Sequence, residues 1–239
     1  MAAVASAAQL MREGNRLPAS LAVSFIQLLA PRYRPSFADG VLNPAIVEDL
    51  RAGIQAADIA VSCMGGNAHS IFGLLNHPQP YDFSFNGEPL MGDRRIVSRG
   101  LVRAALKEQM RASLKVFAAL RSLIDRKMIH CESPPPIPSE SHIRAHSGIF
   151  AKRIGSLGVA PAGFRLKLWK LQSDIFREFC AANDIEFLPA PAAVFGEDGM
   201  LSPKAWGADP THGNAWYGEQ VISQLASHVS AGARQRADA

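Results

Sequence analysis

Short apolar runs of strand character alternate along this chain with longer stretches of helical spacing, and that alternation narrows its possible folds more than any other feature. Residues 21–29, with Leu21, Val23, Phe25, Ile26, Leu28 and Leu29, lie between Pro18 and Pro31 and read as a buried strand. Across residues 44–57, Ile46, Leu50 and Ile54 recur at helical spacing, with Asn43 as the cap before Pro44. Residues 59–64 read as a second strand ending in Gly65, Gly66 and Asn67. A long amphipathic helix is predicted over 98–125, and a third strand over 128–132 runs into Pro134, Pro135 and Pro136. A further helix over 165–183, a strand over 185–188 and a closing helix after His212 complete the pattern.

Strands of this kind separated by long helices imply an α/β protein with a three-layer, doubly wound parallel sheet and helices on both faces. Ligands of such sheets bind beyond the carboxyl ends of the strands. The turn Gly65 to Asn67 and the proline run would sit there, within reach of Asp209 and His212. The connection over residues 69–99 holds Pro78, Pro80 and Gly87 with little periodicity, and reads as a candidate cover on the substrate side.

At 239 residues and 48% hydrophobic, the chain is long enough for one substantial core, read as a single domain over residues 1–230 with a frayed tail over 231–239. The net charge of +4 comes from scattered Lys and Arg rather than a basic stripe with aromatics, which argues against nucleic-acid binding. The apolar stretch 21–30 is too short for a membrane span, and residues 1–10 lack the charged start of a secretory signal. Cys63, Cys131 and Cys180 are odd in number, widely spaced and set among apolar residues. They read as reduced core thiols rather than a disulfide framework or zinc site, and a cytoplasmic location follows as the expectation.

Chemistry concentrates in residues 209–218. Asp209 precedes His212 by three residues in a loop that opens into an apolar, helix-like run. A carboxylate so placed can orient the imidazole and stabilise its charged form while the ring activates a nucleophile. Gly65, Gly66 and Asn67 follow directly on a strand, where an asparagine amide can donate to a developing oxyanion. A plain turn with Asn67 as a helix cap is the alternative.

The pattern Asp209, His212, Asn214 resembles the last block of the SGNH (GDSL-like) hydrolases. Gly65 and Asn67 are similar to that family's third block, with Ala68 where the family has an aspartate. The resemblance implies an N-terminal strand leading into Gly-Asp-Ser, a sequence absent from this chain. Ser6 falls at the nucleophile's place, with Val4 and Ala5 before it; the first strand would be cut short. Ser6 otherwise reads as the cap of a helix starting at Ala7. Gly40 is the match for the family's oxyanion glycine, and Asp39 with Gly40 equally makes an ordinary turn.

The implied activity is hydrolysis of an acyl or acetyl ester on a small molecule or carbohydrate. Ser6 would be the nucleophile, His212 the base, Asp209 its orienter, and Asn67 with Gly40 the oxyanion hole, with no metal or cofactor. A binding or accessory protein without a working nucleophile, and acyl transfer to a sugar hydroxyl, are the competing expectations. His69 and His77 read as loop histidines, and His142 with His146 as a weak metal pair on one helix face. The proline run reads as a stiffener of a site-lining loop, and Arg94, Arg95 and Arg99 as a solvated face.

Overall fold

The computed structural model describes residues 2–18 and 21–237. Among them, eight α-helices accompany a small parallel sheet of three strands, so the chain is mixed α/β. Helix α1 (Ala2–Glu13) comes first, then a hairpin of β1 (Phe37–Ala38) and β2 (Val41–Leu42), then α2 (Pro44–Gln55), β3 (Ile59–Ser62) and α3 (Ala68–Gly73). Strands β4 (Tyr81–Asp82) and β5 (Arg95–Ile96) pair in parallel, and α4 (Arg99–Arg121) leads to β6 (Lys127–Cys131). After α5 (Glu140–Ala145), α6 (Ala151–Leu157) and α7 (Ala162–Ala182) come β7 (Glu186–Leu188) and α8 (Ala215–Ala237).

The three-stranded sheet has the order β3, β6, β7, with every pair parallel. Ser62 stands opposite His130, and Cys131 opposite Leu188. From Met128 to Cys131 the central strand is buried. Three of the strands expected from apolar runs are therefore present, each within a residue or two of its expected limits. The run over 21–29 is a correction. It forms no strand, pairs with none, and its side chains are half-buried or exposed, Leu29 at 71%. An apolar run becomes a strand only where a neighbour takes up its backbone hydrogen bonds; here Ile26 and Leu28 merely lean on a cluster around Tyr33, Leu42 and Ile46.

The chain divides into two compact units. One comprises Met1–Val23, Pro134–Gly155 and Ala190–Ala239; the other comprises Ser24–Ser133 and Ser156–Pro189. In the second unit, α4 turns Leu106, Met110 and Phe117 towards Leu168, Leu171 and Phe176 of α7, and Met128 of β6 joins the same core. Ser98 caps α4 by accepting from the Leu101 amide, and Asn43 caps α2 by accepting from Ala45. The connection over 69–99 is anchored rather than free. Asp82 forms a fully buried ion pair with Lys167 at 2.5 Å, and Phe83 and Phe85 lie in the core.

In the first unit, Val4, Ala7, Ala8 and Met11 form the buried stripe of α1, which packs on α8 around Tyr217, Val221 and Ile222. A Cβ at Gly218 would overlap the Ala3 carbonyl oxygen, so glycine permits this close approach. The expected frayed tail lies partly outside the described residues; α8 continues through Ala237. Among the described residues, no helix is long and apolar enough to cross a membrane.

Candidate functional site

The loop before α8 is built by its own polar groups. Asp209 Oδ1 accepts from the backbone amides of Thr211 and His212, both at 2.8 Å, and from His212 Nδ1 at 3.0 Å. Thr211 Oγ1 lies 3.2 Å from the same ring nitrogen. The His212 amide oxygen accepts from Gly207, and Asn214 caps α8 by accepting from Tyr217. His142 Nε2 donates to the Gly207 carbonyl at 3.0 Å and its ring packs on Trp206, steadying the loop from α5.

Electrostatics follow from this geometry. Burial alone would raise the Asp209 carboxyl, but the His212 ring and two backbone amides outweigh it and hold the group at about 2. The hydrogen bond from Asp209 raises His212 above its usual value, against the opposing effect of burial. With Nδ1 committed to Asp209, Nε2 is the nitrogen left to exchange a proton, on a side chain 66% exposed. This is the arrangement of a base with its orienter.

Ser6 belongs to the same unit but not to a strand-to-helix turn. It sits in the second turn of α1, neither after a strand nor at a cap, because the alanine-rich flanks favour helix from Ala2 onward. Its side chain lies off the buried stripe, exposed, and no hydrogen bond joins it to His212 among the described residues.

Asn67 and Gly40 belong to the other unit. Asn67 comes after β3 as the residue just before α3, yet its side chain forms no capping bond and is exposed. The turn before it is rigid. Gly65 takes φ +69°, and a Cβ at Gly66 would lie 2.5 Å from Ser133 Cβ. Gln172 of α7 braces this turn, donating to the Gly66 carbonyl at 3.0 Å and accepting from the His69 amide at 2.9 Å. Nothing in the local sequence pointed to Gln172, which lies more than a hundred residues away in the chain. Gly40 is corrected to a hairpin tip: Asp39 and Gly40 both have positive φ, at 50° and 82°, as a two-residue turn between β1 and β2 requires. It belongs to a separate two-stranded sheet.

His69 is not a loop histidine but a buried residue of α3, pushed down to about 4 by burial, with Nδ1 unpartnered. His142 and His146 stack at 4.1 Å with their bonds spent on backbone carbonyls, and no metal-binding group of His, Cys, Asp or Glu occurs among the described residues. Pro135 and Pro136 are buried, and the Pro136 carbonyl accepts from Leu201. Arg99 pairs with Asp174 at the surface, and Arg94 donates to Asn76. Compared with protein-family models, with curated proteins and with solved structures, the chain matches none.

Proposed function

We propose that the chain is an ester hydrolase of the SGNH kind, on a three-layer parallel-sheet fold, with His212 as its base and Asp209 as the orienter. The observation that carries this reading is the 3.0 Å bond from His212 Nδ1 to Asp209, which fixes the ring and leaves Nε2 for proton transfer. In this reading Ser6 Oγ attacks the acyl carbonyl, His212 takes its proton and returns it to the leaving alkoxide, and water then releases the acid. The substrate is an acyl or acetyl ester of a small molecule or carbohydrate, and no cofactor enters.

A second reading rests on one specific observation. Ser6 occupies a helix interior instead of a sharp turn that would expose and align it, and it has no bond to the base. On that ground the chain is a binding or accessory protein that keeps the base but lacks a nucleophile. Turnover of p-nitrophenyl acetate by the full chain separates the two. Under the hydrolase reading His212→Ala lowers kcat by at least about 10⁴-fold. Undiminished turnover would overturn it. A fluorophosphonate probe that labels Ser6 excludes the second reading, and absence of labelling together with absence of turnover supports it.

A further inference from the structure

We propose that Cys63 and Cys131 form a reversible thiol–disulfide pair, a reaction site for low-molecular-weight disulfides at the carboxyl end of the parallel sheet. Ser62 of β3 stands opposite His130 of β6. Cys63 and Cys131 are the next residues along the two chains, and continuing the alternation of the strands puts them side by side, away from the side where Ser62 meets His130. Neighbouring strands run ~4.7–4.9 Å apart, within the ~4.4–6.8 Å between Cα atoms that a disulfide spans.

Their surroundings give them different roles. Cys131 is 7% exposed, whereas Cys63 is only partly covered and lies beside Val61, 46% exposed on the same side of the sheet. A small disulfide reaches Cys63, and Cys131 waits behind it. The neighbouring Cys131 thiol lowers Cys63, favouring the nucleophilic thiolate, while the nearby Cys63 and burial raise Cys131. Cys180 has no such neighbour; burial pushes it up to about 12.

The exchange balances. The Cys63 thiolate attacks one sulfur of a disulfide such as oxidised glutathione, forming a mixed disulfide and releasing one glutathione thiolate. Cys131 gives up its proton, attacks the Cys63 sulfur and releases the second glutathione thiolate. The protein thiols lose two electrons and two protons, and the small disulfide becomes two thiols. The bond that closes ties β3 to β6 just before Gly65, so it bears on the turn that presents Asn67.

The test is incubation of the native full chain with oxidised glutathione, acid quenching, intact mass and peptide mapping. The expected product has lost two hydrogen atoms, carries a Cys63–Cys131 cross-link, leaves Cys180 untouched and reverts with dithiothreitol. Cys131→Ser is expected to stop at a glutathionyl adduct on Cys63, and Cys63→Ser to gain neither adduct nor cross-link. The wild-type map decides the matter even if a variant fails to fold. A stable glutathionyl adduct without a cross-link overturns the proposal. So does a native chain that stays unmodified while its urea-unfolded form reacts.

Discussion

Asp209 commits one carboxylate oxygen to four donors, and the consequence is a pH signature at a single residue. Its carboxyl sits at about 2, so it stays charged across the neutral range, and it raises His212 above 6.5. A base must be neutral to act, so kcat/KM for an ester is expected to fall on the acid side with a midpoint above 6.5. Asp209→Asn removes the charge that favours imidazolium, and the midpoint should move down towards 6.5; a midpoint that stays put would show that another group titrates. The same pair contributes to stability. Asp209, depressed, helps above 3.8 and loses its effect as pH falls through about 2; His212, raised, helps below 6.5 and loses its effect as pH rises through its higher value. Asp209 and His212 were legible in the sequence because their contact closes over three residues. Gln172 was not, because its bonds to the Gly66 turn exist only once α7 packs against it.

Elements were legible where one face had a core to meet. The spacing of Ile46, Leu50 and Ile54 gives α2, with the cap at Asn43 where a proline follows, and α4 and α7 follow their apolar stripes in the same way. Local propensity was under-read in one place: the alanines around Ser6 make a helix rather than a strand and turn. The connection over 69–99 carries no apolar stripe. Its anchor is a charge pair with α7, which no periodicity reveals. Asp82 and Lys167 are both shielded from water, with the Asp82 carboxylate also accepting from the Phe83 and Met91 amides. Lys167→Ala leaves that charge buried and unpaired, and is expected to lower unfolding free energy in urea by about 3–5 kcal/mol. A loss below about 1 kcal/mol would mean that Asp82 finds water or a new partner in the variant.

At the scale of the whole molecule, two buried histidines set the response to acid. His69 and His130 are each pushed down to about 4 by burial, and His130 packs between Phe117 and Phe176. Unfolding frees them to take up protons near 6.5, so their contribution is full above that value and is lost as pH falls from 6.5 towards about 4. Urea midpoints should therefore drop between pH 7.5 and 5, and His130→Phe should flatten part of that drop; an unchanged slope would place the acid sensitivity elsewhere. By itself the sequence determined the helices with an apolar stripe, the strands Ile59–Ser62, Lys127–Cys131 and Glu186–Leu188, and the pairing of Asp209 with His212. Each of these depends on periodicity or on contacts a few residues long. Tertiary structure alone decided that residues 21–29 are no strand, that His69 is buried, that Asp82 meets Lys167 and that Cys63 and Cys131 follow directly on the paired Ser62 and His130. A strand's hydrogen bonds, a histidine's burial and a thiol's neighbour all come from distant parts of the chain, and a linear pattern carries no record of which part arrives.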